Sequence, residues 1–233
     1  MKKISYFIFA LCVLLTSCDE IFNDEDQPKD NPQEAEKLIG LWRGEDAVGM
    51  IHLYNFRPDR SATYCVYTHV MGNIASVNTT LYSSWTATSD MLYIEGDAVL
   101  YNRNGKLVGV DGSQFKEFEL SRIYNPSTGK GTRKIPELTG KVWTGYYYDK
   151  IVQLEFRADG TMTRTTSPNA GWEGTVQVKE YTWKIADGAI KMSDGTTDAW
   201  GVGLVISRYS YEPNFIFAEF GDACCALSDY EED

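Results

Sequence analysis

The chain has 233 residues, a formal net charge of −11 and a composition that is 43% hydrophobic, 13% aromatic and 24% charged. That balance excludes a wholly disordered chain, a collagen-like one and a polytopic membrane protein. Fifteen Tyr, ten Phe, six Trp and twenty Gly against only two His point to strands and turns with thin catalytic chemistry.

Met1-Lys2-Lys3 is a short basic start, and the apolar run Ile4–Leu15 follows it. A spanning helix needs about twenty apolar residues, so residues 1–17 are expected to be a secretory signal with a short apolar centre. The run ends in Leu15-Thr16-Ser17-Cys18, which resembles the bacterial lipobox. That resemblance implies a lipoprotein whose Cys18 carries diacylglycerol and an acyl chain such as palmitate, and whose mature form begins there without a transmembrane helix. Several acyl chains on one residue anchor more firmly than a single myristoyl group.

Residues 18–37 read as the lipidated cysteine and a solvated tether, with eight acids, two lysines and two prolines between 19 and 37. Acids directly behind Cys18 resemble the surface-export signal of Bacteroidetes-type lipoproteins, which implies an outer-membrane, surface-exposed protein. In enteric bacteria Asp at the second mature position resembles an inner-membrane retention signal, so the leaflet stays open. Without signal and tether the body carries −7, four of it in the acidic tail 229–233. No basic stripe is left for nucleic acid.

The body repeats itself. Leu38-Ile39-Gly40-Leu41-Trp42-Arg43-Gly44 recurs as Leu138-Thr139-Gly140-Lys141-Val142-Trp143-Thr144-Gly145, with one residue inserted. Ile51–Tyr64 recurs as Ile151–Arg164, keeping Phe56/Phe156, Arg57/Arg157, Asp59/Asp159 and Thr63/Thr163. Trp85–Glu95 matches Trp183–Ser193. Two homologous units are therefore expected at 38–124 and 138–228, joined by a Pro-, Gly- and Ser-containing linker at 125–137.

Within each unit the hydrophobic period is two. Leu154, Phe156 and Ala158 alternate with polar neighbours until Asp159-Gly160 turns the chain into Thr161–Thr165, a hairpin signal. Pro58-Asp59-Arg60 at the same corner of the first copy predicts a turn of another type or length. The broken alternation at Glu180-Tyr181 predicts a bulge, and Asn104-Gly105, Asp187-Gly188 and Asp194-Gly195 predict tight turns. Strands at this spacing, with no long helical pattern, predict an all-β chain of two tandem antiparallel barrels or sandwiches.

The Gly-x-Trp or Gly-x-x-Trp opening, the strand ending in Phe-Arg-x-Asp-Gly and the later Trp before a turn and a short apolar strand resemble the lipocalin-like (calycin) domains of secreted bacterial lipoproteins. The resemblance covers nearly all of the body. It implies barrels whose opening Trp packs under an Arg from a late strand, here Trp42 with Arg122 and Trp143 with Arg208, in a structural role. Phe215–Phe220 and Leu204–Arg208 compete for the late-strand position of the second copy.

Cys65, Tyr67 and His69 fall on one face of a predicted strand, with His52 on its hairpin partner. Zinc chemistry would use such residues, but the second copy holds nothing equivalent and a fourth ligand is missing, so neither a metal site nor a cofactor is expected. Cys65, Cys224 and Cys225 are the thiols of the body. The preferred pairing is Cys65 with Cys224 or Cys225, while a bridge between the neighbours and three reduced thiols stay open. No paired-carboxylate spacing, serine elbow, metal-protease or phosphate-loop motif occurs, so no enzyme is expected.

The aromatic excess is the remaining lead. Tyr146, Tyr148, Trp172 and Trp200 fall near predicted turns or strand ends, where amphipathic rings suit a binding mouth. Two functions follow as expectations. The first is a lipid-anchored envelope protein binding a small apolar or glycan ligand in its barrels. The second is a surface adaptor whose barrels are filled by side chains and whose outer faces meet another envelope protein. The bulk of Phe56, Phe156, Tyr64, Met162, Trp85 and Trp183 leans toward filled barrels.

Overall fold

The computed structural model describes residues 29–70, 73–111, 114–147, 150–168, 174–204, 215–221 and 223–229. It consists of two antiparallel sheets, each rolled into a barrel. The first takes strands β1 (Gly40–Glu45), β2 (Ile51–Phe56), β3 (Ala62–Val70), β4 (Asn73–Tyr82), β5 (Trp85–Ala87), β6 (Met91–Ile94), β7 (Asp97–Arg103), β8 (Lys106–Val110) and β9 (Glu117–Asn125), with the short β10 (Lys130–Gly131) added to β9. The second is a closed barrel of β11 (Val142–Tyr147), β12 (Lys150–Phe156), β13 (Thr161–Pro168), β14 (Gln177–Ala186), β15 (Ala189–Ser193), β16 (Asp198–Leu204), β17 (Phe215–Glu219) and β18 (Cys224–Ser228).

The repeat is visible in matching hydrogen bonds. Trp42 Nε1 donates to Leu38 O and Trp143 Nε1 to Leu138 O. Trp85 Nε1 donates to Arg57 O at 3.2 Å and Trp183 Nε1 to Arg157 O at 3.0 Å. Both units keep the same β-turn before β3 and β13. In each, the Asp59 or Asp159 carboxylate accepts from the backbone N–H two residues on at 2.9 Å. Arg60 adopts φ 70° where Gly160 adopts 84°. The different turn expected at Pro58-Asp59-Arg60 is therefore absent, because the Asp59 acceptor holds an arginine in the left-handed region that glycine favours.

The copies differ at their fourth strand. In the second unit β14 is continuous and pairs with β13 without a register shift, so the expected bulge at Glu180-Tyr181 does not form. In the first, the corresponding chain is split into β4 and β5, which do not pair. Asn31 N donates to Ala87 O on the free side of β5, and the Asp30 carboxylate accepts from Ala87 N. A helix, α1 (Pro32–Leu38), follows, with Asn31 as N-cap and Pro at its first position. Ala35 and Leu38 are fully buried in the first core. The tether expected to run to residue 37 thus ends earlier, since the cap and the apolar pair fold its last turns onto the barrel.

Both barrels are filled. Trp42, Tyr54, Phe56, Trp85, Leu92 and Phe118 occupy the first, and Trp143, Leu154, Phe156, Met162, Tyr181 and Phe220 the second. A third core lies between them. Leu41, Ile51, Leu53, Cys65, Tyr67 and Tyr124 from the outside of the first barrel pack against Val202, Leu204, Phe215, Phe217, Cys224 and Ala226 from the outside of the second. This explains why every residue of β17 and β18 is buried, as a strand covered on both faces must be. The 125–137 segment is pinned rather than loose: β10 extends the first sheet, and Ile135 packs against the second core.

Candidate functional site

The site is built on one row of outward-facing residues. Lys184, Lys191, Trp200, Glu219 and Cys224 lie directly opposite one another across β14, β15, β16, β17 and β18. Opposite residues in an antiparallel ladder share a face, so the row forms a stripe across the outside of the second barrel. The first unit covers its Glu219–Cys224 end. Lys184, Lys191 and Trp200 line a cleft of about 810 Å³ between the units. Its other wall is Asn55, Arg57, Pro58 and Asp59 from the β2–β3 corner, with Tyr124 from β9.

Trp200 is half-buried and held by rings on two sides. Its centroid lies 5.4 Å from that of Tyr124 with the planes 26° apart, and 5.7 Å from Phe217 at 60°. The indole is thus fixed in the wall of the cleft. Lys184 and Lys191 face each other there, an arrangement of like charges that a ladder does not favour without a counter-charge. No ion pair ties either lysine among the described residues. A flat apolar surface beside two adjacent cations can hold a ring that carries an anionic group.

The buried end of the row locks the units together. The Glu219 carboxylate accepts from Asn55 Nδ2 at 2.7 Å and Thr63 Oγ1 at 3.1 Å, and it ion-pairs with Arg57. Burial lowers the Arg57 guanidinium from its ordinary value, although the nearby Asp59 carboxylate opposes the shift. The second unit builds the same arginine–threonine–glutamate cluster within itself. Arg157 and Thr163 both bond Glu180, at 3.2 and 2.9 Å, on an exposed face. Opposite Thr63, where that glutamate would stand, the first unit has Leu81. Its acceptor comes from the other barrel.

Next to this cluster, Cys65 Sγ lies 2.7 Å from Cys224 Sγ, and both residues are fully buried. Burial, with Cys65 beside it, pushes the Cys224 thiol well above its usual range. Cys225 faces the other way, into the second barrel.

The other expected residues are placed as follows. The Arg122 guanidinium lies 5.4 Å from the Trp42 ring and donates to Lys37 O at 2.8 Å. It closes the end of the first barrel under α1. Trp143 is buried in the second core, while Arg208 lies outside the described residues, as do Tyr148, Trp172 and Cys18. Tyr146 is half-buried on β11 and does not line the cleft with Trp200. Cys65 and Tyr67 share the face toward the second unit, but His52 pairs with Val66 and points into the first barrel. There its Nδ1 is 2.8 Å from the Tyr64 hydroxyl and its Nε2 3.1 Å from Asp46 Oδ2. Cys65 and His52 thus stand on opposite faces, which separates the residues a zinc site would need. The His69 side chain lies outside the described set.

Sequence reasoning found Trp200 and Cys65 but missed Lys184, Lys191, Glu219 and Tyr124. Their signal was available only in part: Glu219 is an acid inside the otherwise apolar run Phe215–Phe220. No helix among the described residues is long and apolar enough to cross a membrane. No family model matches the chain, and no curated protein and no solved structure matches it significantly.

Proposed function

We propose that the chain is a lipid-anchored protein of the bacterial cell envelope, held at the outer membrane through Cys18, that binds a small ligand between its two lipocalin-like units. The ligand class that fits is a glycan or amphiphile with a flat apolar face and an acidic group. One observation carries this reading: the cleft that holds the ring-clamped Trp200 beside the facing Lys184 and Lys191. The barrel interiors are occupied by their own side chains, so a ligand site between the barrels replaces one inside them. Sites of about 300–1,000 Å³ are usual for such ligands.

The test is native mass spectrometry of the protein extracted from its own envelope, followed by saturation-transfer NMR with acidic and neutral oligosaccharides. An adduct of a few hundred daltons, lost in Trp200→Ala and weakened by Lys191→Gln, supports the reading. Binding that is equal in wild type and both variants overturns it. The same filled interiors favour a second reading, a surface adaptor that meets an envelope protein. Crosslinking in intact cells separates the two, because an adaptor gives a defined protein conjugate and no small adduct.

A further inference from the structure

We propose that Cys65 and Cys224 are joined in the mature protein by a disulfide that clasps the two units and leaves Cys225 outside the bridge. The two sulfurs belong to cysteines 159 residues apart in sequence, one from each unit, and approach to 2.7 Å. Unbonded heavy atoms pack at about 3.5–4.0 Å, and a disulfide measures about 2.05 Å. No other described residue separates the pair, and both stand in the core between the barrels with no exposed surface.

The choice of partner follows from strand geometry. Successive side chains of a strand point to opposite faces. Cys224 therefore faces the first unit, and Cys225, paired with Ala218, faces the second barrel's own interior. A bridge between the two neighbours would pull one of them out of the β18 ladder. Cys65 shares its face with Thr63, and Cys224 stands opposite Glu219. The clasp thus fastens the chain at the Glu219–Thr63 contact, and Asn55 and Arg57 of that cluster line the cleft. Oxidation would set the cleft's width, whatever occupies it.

Formation requires a two-electron oxidant, a disulfide carried by a protein or a small thiol compound. One cysteine thiolate attacks a sulfur of that disulfide and releases one thiol. The second cysteine then attacks the mixed disulfide and releases the other. The two cysteines lose two protons and two electrons, and the oxidant gains them as two thiols. Exchange needs direct contact between a cysteine thiolate and the oxidant, and in the docked barrels neither Cys65 nor Cys224 has exposed surface. The bond accordingly forms while the units are still undocked, and burial afterwards shields it from reductants.

The experiment uses the full lipoprotein taken from its native envelope, denatured with a thiol alkylating reagent and no reductant, then mapped by peptide mass spectrometry. The expected result is a Cys65 peptide linked to the Cys224-Cys225 peptide, with alkylation at Cys225 alone. Reduction should release both peptides. Alkylation of all three cysteines, a bond to Cys225, or a Cys224–Cys225 bridge overturns the proposal. A second measurement does not depend on the mapping: reductant should lower the unfolding temperature of wild type and Cys225→Ala but leave Cys224→Ser unchanged. Equal sensitivity in all three also overturns it. Neither measurement involves a ligand, so failure here leaves the binding proposal to its own test.

Discussion

Replacing Glu219 by Ala should destabilise the protein far more than replacing Glu180, although both serve the same arginine–threonine cluster. The Glu219 side chain is 5% exposed and that of its partner Arg57 26%. Removing the carboxylate takes the acceptor from Asn55 and Thr63 and the counter-charge from Arg57, which keeps only its hydroxyl partners Ser61 and Thr63. Breaking a buried pair from one side costs about 3–5 kcal/mol. Because water still reaches a quarter of Arg57, about 2–4 kcal/mol is the working figure here. In the second unit the Glu180 side chain is 63% exposed, and an exposed pair is worth about 0–1 kcal/mol. Urea unfolding of both variants, followed by tryptophan fluorescence, measures the difference. Glu219→Gln should recover part of the loss, since its amide oxygen still accepts from Asn55. Equal losses for Glu219→Ala and Glu180→Ala would refute the idea that the first unit's acceptor was handed to the other barrel.

Three further outcomes follow from local chemistry. Burial pushes the Tyr64 phenol up to about 12. The unfolded chain ionises first, so stability should be intact below about pH 10 and fall as pH rises toward 12, with delayed tyrosinate absorbance as the readout. Bonds from Thr196 and Thr197 hold the Asp194 carboxyl near 2. Its contribution is present above the ordinary Asp value and lost as pH falls toward 2, and NMR titration of that carboxyl should find the low midpoint. Gly145→Ala would drive a methyl group into the Ala226 carbonyl oxygen where β11 closes on β18. A loss of about 1–3 kcal/mol is expected in denaturant unfolding, because the colliding atom is backbone and cannot rotate away.

The parts of this fold that are local in sequence were readable from it. The repeated Trp and Phe-Arg-x-Asp motifs recur because each unit needs the same closing indole and the same Asp-capped corner. The period of two located β12 and β13 for the same reason. What could not be read was mostly non-local. Leu81 opposite Thr63 looks like an unremarkable substitution until Glu219 is seen to supply the missing acceptor. Lys184 and Lys191 are seven residues apart and become neighbours only through the β14–β15 pairing. Helix α1 was a local miss, since Asn31-Pro32 is a capping signal that the surrounding charge obscured.

The ambiguity at the end of the second copy turns out to carry information. Phe215–Phe220 and Leu204 both suited a late strand because β16 and β17 are adjacent strands of one sheet, and β17 is apolar on both faces. A barrel standing alone needs only one apolar face per strand. The second apolar face in β17 and β18 is therefore a record of docking, and it is absent from β14, whose outer residues Val178 and Lys184 are exposed. The stripe from Lys184 to Cys224 crosses from the undocked part of the barrel to the docked part. At one end it is open and cationic, at the other it is sealed by Arg57, Asn55, Thr63 and Cys65. A cleft must form where such a stripe leaves the interface, and duplication created it: one barrel alone has the stripe but no facing wall. A ligand held there would touch both units at once, so the proposed binding rests on the docking contact rather than on either barrel.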